Sequence, residues 1–88
     1  PQGMLVMEDV IDRVARDLGL PPDGVRERNF YHGTGETNTT HYGEDLVDNR
    51  LHRVWQEVKA SSNFIERQAA IADFNQANPY TKRGLAIT

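Results

Sequence analysis

The chain has 88 residues and 10.0 kDa, room for one small domain, and its 38% hydrophobic and 8% aromatic content makes a lean core. A net charge of −3 and a pI near 5.5 argue against a nucleic-acid binder, and the absence of Cys removes disulfides, thiolate metal sites and Cys nucleophiles together. No apolar run approaches the ~20 residues that a bilayer span needs, no signal-peptide pattern is present, and a small, weak-cored domain without disulfides favours the cytoplasm.

Met4, Met7, Ile11, Val14 and Leu18 recur at spacings of three and four, and Leu5, Val10 and Ala15 widen the stripe. This pattern predicts a long amphipathic first helix. Glu8, Asp9, Asp12, Arg13, Arg16 and Asp17 fill its other face, where Asp9 with Arg13 and Asp12 with Arg16 are i, i+4 pairs in the favourable orientation. Gly19 suits a left-handed cap, Leu20 folds back onto the last turn, and Pro21 prevents continuation. A short second helix is expected from Pro22 to about Asn29, with Pro22 and Asp23 in its first turn and Val25 as its inward anchor.

Residues 31–48 read as a long irregular connection with one or two short extended pieces, punctuated by Gly33, Gly35 and Gly43. Such a stretch is unusual in a self-sufficient compact domain and makes sense when a larger protein covers it. Asp48 or Asn49 is placed to cap a third helix carrying Leu51, Val54, Trp55 and Val58 on one face. Asn63 with Glu66 resembles a capping box for a fourth helix. That helix is expected to run to about Ala77 and to bury some combination of Phe64, Ile65, Ala69, Ala72 and Phe74. Asn78-Pro79 ends it, because the residue before Pro is pushed out of the helical region. Leu85-Ala86-Ile87-Thr88, after Gly84, reads as the start of a strand with no evident partner. The expected fold is therefore α+β but mostly α, with about four helices, an irregular Gly/Thr-rich connection and a terminal strand. The missing start Met and the orphan strand make residues 1–88 read as a single partial domain cut from a larger one.

Candidate chemistry is sparse. His32, His41 and His52 are spaced by 9 and 11 residues, unlike the i, i+4 pairs of helical metal sites, and read as surface or loop histidines. Gly33-Thr34-Gly35-Glu36 lacks the Lys and Ser or Thr of a phosphate loop and reads as a turn. Glu8, Asp9 and Asp12 read as a solvated charged face matched by Arg13 and Arg16, not an acid–base pair. Trp55 reads as core or interface. Lys82-Arg83 is a small basic spot suited to helix carbonyls or to a buried acid from another segment. No set forms a nucleophile, a base and an orienting group.

Several unlike landmarks stand in a specific order. Pro1-Gln2-Gly3 opens the chain; Leu18-Gly19-Leu20-Pro21, Val25-Arg26 and Asn29 follow; Trp55, Ser61-Ser62, Phe74-Asn75 and Lys82-Arg83-Gly84-Leu85 complete the series. Together they resemble the molybdenum (large) subunit of the xanthine dehydrogenase and aldehyde oxidase family, just after its glycine-rich cofactor loop, where a stretch like Arg-Gly-Phe-Gly-Gly precedes Pro-Gln-Gly. Arg26-Glu27-Arg28-Asn29-Phe30-Tyr31 looks closest to the bacterial xanthine dehydrogenase type.

The resemblance implies a segment of a molybdenum hydroxylase that oxidises purines, related heterocycles or aldehydes with water as the oxygen source. It implies a molybdenum–molybdopterin cofactor, with iron–sulfur clusters and FAD elsewhere in the parent enzyme. The partners implied are the remainder of the molybdenum subunit, an FAD/iron–sulfur subunit and a small heterocyclic or aldehyde substrate; no nucleic acid and no membrane are expected. The family's glutamate base belongs beyond Thr88 and its substrate-contacting Arg and Phe before Pro1, so no catalytic residue is carried over. Gln2 alone is a cofactor candidate, because its amide offers donors and an acceptor to a pterin edge. The segment is then a scaffold for the cofactor loop, inactive alone. The alternative is a self-contained helical protein–protein interaction module using Trp55 and the Val10/Ile11/Val14 stripe. A small metal enzyme built on the three histidines is a third reading.

Overall fold

The computed structural model of the chain describes residues 1–32 and 38–88. Its helices are α1 (Gln2–Leu18), α2 (Pro22–Arg28), α3 (Leu51–Ser61) and α4 (Phe64–Ala77). They form two compact units, residues 1–49 and residues 50–87.

In the first unit α2 packs on α1. The turn between them is built as the sequence predicts. Gly19 is left-handed (φ 65°, ψ 29°), its N–H bonds the Arg16 carbonyl at 3.2 Å, and the Leu20 N–H reaches the Ala15 carbonyl at 2.8 Å. These two bonds satisfy carbonyls that the helix end leaves open. Pro22 then starts α2, where a missing N–H costs nothing. Asn29 closes α2 by donating from Nδ2 to the Val25 carbonyl at 2.8 Å. Ala15 and Val25 are buried here, as are the polar side chains of Asp23 and Arg26.

The long α1 stripe is helical but mostly uncovered. Met4, Met7, Val10, Val14 and Leu18 are all exposed, because seven-residue α2 covers only the neighbourhood of Ile11 and Ala15. Met7, Val10, Ile11, Val14, Val25 and Asn29 line an open apolar groove of about 250 Å³.

Residues 38–46 form a small antiparallel turn around the bridge Thr39–Asp45. Gly43, at φ 86°, turns the chain, and Leu46 N–H bonds the Asn38 carbonyl at 2.8 Å. This is one of the short extended pieces that the sequence leads one to expect. Gly33-Thr34-Gly35-Glu36 lies outside the described residues.

In the second unit α3 packs on α4, and Trp55 and Phe64 are buried. Ser62 ends α3 by donating from Oγ to the Val58 carbonyl at 2.7 Å, and Asn63 turns the chain in a left-handed conformation (φ 50°). α3 begins after Arg50, whose own side chain makes no cap bond, and Asn49 Nδ2 donates to the Tyr31 carbonyl at 2.9 Å. One capping expectation fails. Asn63 precedes α4 without a side-chain cap, because its left-handed backbone departs from the extended geometry that a capping box needs. Of the apolar candidates in α4, Phe64 is buried and Phe74 half-buried, while Ile65, Ala69 and Ala72 are exposed; Ile71 is half-buried instead.

The expected terminal strand is also corrected. Residues 85–88 form no strand, and no strand occurs among the described residues. Leu85 and Ile87 are half-buried while Ala86 and Thr88 are exposed, an extended rhythm. A ladder needs hydrogen bonds from a neighbouring edge, and none of the described residues offers one.

Candidate functional site

The sequence places its one cofactor candidate, Gln2, at the start of α1. In the structure Gln2 is the first residue of that helix, with Pro1 as the cap position and Leu5 N–H bonded to the Pro1 carbonyl at 3.1 Å. Its side chain is exposed and makes no hydrogen bond among the described residues.

What positions α1 is a link that the sequence reading misses. Arg26, in α2, is only 6% exposed. It donates from Nε to Glu8 Oε2 at 2.6 Å and from Nη2 to Asp12 Oδ1 at 2.9 Å. Burial alone lowers the pKa of the guanidinium, but the hydrogen bonds and charges of Glu8 and Asp12 outweigh it and raise the pKa above its ordinary value. The carboxylates are half-exposed, so water shares in their solvation. Asp9 does pair with Arg13 at 3.0 Å, out in solvent. Asp12 does not turn to Arg16, because the buried Arg26 fork takes it. A signal was present: Glu8 and Asp12 are like charges one turn apart, an unfavourable pair unless a cation bridges them.

A second construction lies at the end of the other unit. Asn75 Nδ2 donates to the Arg83 carbonyl at 2.9 Å, and Asn75 Oδ1 accepts the Arg83 N–H at 2.8 Å. One side-chain amide thus holds the backbone on both sides of the Arg83 Cα, engaging two successive peptide groups. Lys82 Nζ donates to the Asn75 carbonyl, and the Arg83 guanidinium lies 3.7 Å from the Phe74 ring centre. Lys82 therefore satisfies a helix carbonyl, one of the two roles that its sequence suits.

The histidines do not converge. His32 and His41 lie in irregular segments and His52 in α3, and among the described residues no three His, Asp or Glu side chains are grouped to hold a metal. Trp55, proposed as half of an interaction surface, is buried and unavailable for one. The other half, Val10 and Val14, is exposed.

The chain is 45% identical over 87 residues to aldehyde oxidase 1 of Cavia porcellus, 40% identical to the xanthine dehydrogenase of Oryza sativa subsp. japonica, and 41% identical to the xanthine dehydrogenase/oxidase of Gallus gallus. Its likeness is to the xanthine dehydrogenases and aldehyde oxidases. Each match takes in 99% of this chain and 6% of the relative, so the chain spans about 6% of the length of the curated relatives it matches. No family model and no solved structure matches.

Against that likeness, the landmark residues acquire physical roles. Gly19 and Leu20 make the α1 cap, Val25 and Arg26 join α2 to α1, and Asn29 closes α2. Ser62 closes α3, and Asn75 clamps the Lys82-Arg83 segment. These are framework roles; among the described residues none builds a nucleophile beside a base. No helix of the described residues is long and apolar enough to cross a membrane.

Proposed function

We propose that residues 1–88 are a segment of the molybdenum-cofactor-binding subunit of a xanthine dehydrogenase-like hydroxylase, and that the segment is a scaffold with no turnover of its own. The observation that carries this reading is 37–45% identity along 87 residues to enzymes of that kind. The framework roles of the landmark residues support it. The relatives named above are eukaryotic, so the bacterial type rests on Arg26–Tyr31 alone.

Gln2 fits the cofactor in chemistry: an exposed amide, uncommitted among the described residues, has two donors and an acceptor for a pterin edge. When bound, the cofactor would supply transfer of a water-derived oxygen to a carbon next to nitrogen or to an aldehyde carbon, with electrons leaving through iron–sulfur clusters and FAD. This chain's part would be mechanical. Arg26 ties α1 to α2, and α1 carries Gln2 at its start. An error on the order of an ångström in a supporting element costs catalysis heavily, which is why a rigid framework matters. The soluble cytoplasm is the compartment that fits this reading.

The test is the molybdenum content and native mass of the complete polypeptide, with turnover of xanthine and of an aldehyde. Molybdenum with turnover in the complete polypeptide, and neither in the isolated 88 residues, is expected. Absence of molybdenum from the complete polypeptide overturns the hydroxylase assignment; cofactor-dependent turnover by the isolated segment overturns the scaffold role. The exposed α1 stripe favours a second reading, a helical interaction module, which cooperative unfolding of the isolated chain would support.

A further inference from the structure

Charge is divided unevenly along the chain. Residues 1–49 contain ten Asp and Glu against four Arg, whereas residues 50–87 contain six Lys and Arg against three Asp and Glu. Within the second unit, Arg53 is neutralised by Glu57 at 2.8 Å. Arg67 and Arg83 have no carboxylate partner among the described residues.

These two arginines line the same groove. Its wall is Arg67, Ala70, Ile71, Arg83 and Gly84, and it encloses about 380 Å³. Arg67, Ala70 and Ile71 stand at i, i+3 and i+4 on α4, so they share one face of that helix. Phe74 continues the row, and the Arg83 guanidinium is stacked on its ring at 3.7 Å. The Asn75 amide also holds the Arg83 backbone, through its N–H and its carbonyl. A guanidinium held by its face keeps N–H donors at its edge, the geometry that receives a carboxylate in two parallel bonds. Gly84 adds no side chain, and a Cβ there would meet nothing within 4 Å.

We propose that this groove is a docking site for an acidic segment, one Asp or Glu beside an apolar residue, supplied by the same polypeptide from outside residues 1–88. Two exposed arginines without a carboxylate partner among the described residues make the groove complementary to a carboxylate, and the Ala70–Ile71 floor takes the apolar neighbour, which a free phosphate does not have. The same polypeptide is the source because the chain spans only 6% of the length of its relatives; this rests on the reading of the chain as part of such an enzyme.

The test uses the complete polypeptide with R67K or R83K, which keep the charge and supply an amine. Zero-length carbodiimide coupling followed by peptide mass spectrometry reads which carboxylate lies within bonding distance of the substituted position. The expected result is a cross-link from either position to one Asp or Glu outside residues 1–88 of the same chain. A cross-link to an acid within residues 1–49, a cross-link to another polypeptide, or no cross-link at either position overturns the proposal. Molybdenum content of the same preparation reports on the hydroxylase assignment separately. A molybdenum-loaded preparation without the cross-link fails the groove alone; a cross-link without molybdenum fails the assignment alone.

Discussion

Arg26 and Glu8 are eighteen residues apart in sequence, and the Arg26 Nε donates to Glu8 Oε2 at 2.6 Å. With Asp12 on the same guanidinium, this contact joins two helices whose shared apolar core is little more than Ala15 and Val25. A buried cation therefore substitutes for hydrophobic area that a seven-residue helix cannot supply.

Replacing Arg26 by Met should lower the unfolding free energy by about 1–2 kcal/mol, a modest loss because both carboxylates are half-exposed. Replacing Arg13, whose pair with Asp9 lies in solvent, should cost no more than about 0.5 kcal/mol. Denaturant midpoints compare the two. Equal losses would show that Arg26 does not join the helices.

The pH dependence of the Arg26 link follows from its raised pKa. A group whose folded pKa exceeds its unfolded value adds stability below the unfolded pKa and loses it as pH rises through the folded one. That window lies in strong alkali. The stability difference between the native chain and R26M should therefore stay constant from about pH 7 to 10, the range below the ordinary guanidinium pKa. Midpoints measured across that range check it; a difference that shrinks by pH 9 would contradict the charge assignment.

Two glycines should respond in opposite directions to Ala. Gly19 has φ 65°, and a methyl added there would meet open space, so G19A should destabilise by about 1 kcal/mol from backbone strain alone. Gly24 is within α2, where an added Cβ meets Pro21 Cγ at 3.4 Å, an ordinary contact. G24A should stabilise by about 0.5–1 kcal/mol through helix propensity. Thermal unfolding of both variants decides the signs.

In the second unit, F64A should cost about 3–4 kcal/mol, because Phe64 is 3% exposed and truncation leaves a cavity. Its neighbour Ile65 is 61% exposed, and I65A should cost under about 1 kcal/mol. Paired denaturation curves distinguish the two; similar losses would mean that α4 is covered on both faces.

The Asn75 clamp makes a local prediction. N75A removes both bonds to the Arg83 backbone, so the Arg83 amide should lose hydrogen-exchange protection and trypsin should cut after Lys82 or Arg83 faster. N75D keeps only the acceptor and should fall between. Unchanged exchange at Arg83 in N75A would show that the stack on Phe74 suffices.

The existence and type of all four helices were legible in the residues themselves. The α1 period, Gly19 with Pro21, Pro22, and Asn78-Pro79 act through neighbours in the chain, and local steric rules decide them. The likeness to xanthine dehydrogenases and aldehyde oxidases was legible too, because it rests on the order of residues alone. Tertiary structure decided what depends on residues far apart. Whether Asp12 turns to Arg16 or to Arg26 and which face of α4 is covered are competitions between local and distant partners. Periodicity marks a face as apolar but does not say what lies against it, so the exposure of Val10 and Val14 and the meeting of Arg67 with Arg83 in one groove emerged only with the fold. Local sequence sets the elements because their hydrogen bonds close within a few residues; the partners of buried charge are chosen by whichever chain segment the fold brings within about 3 Å.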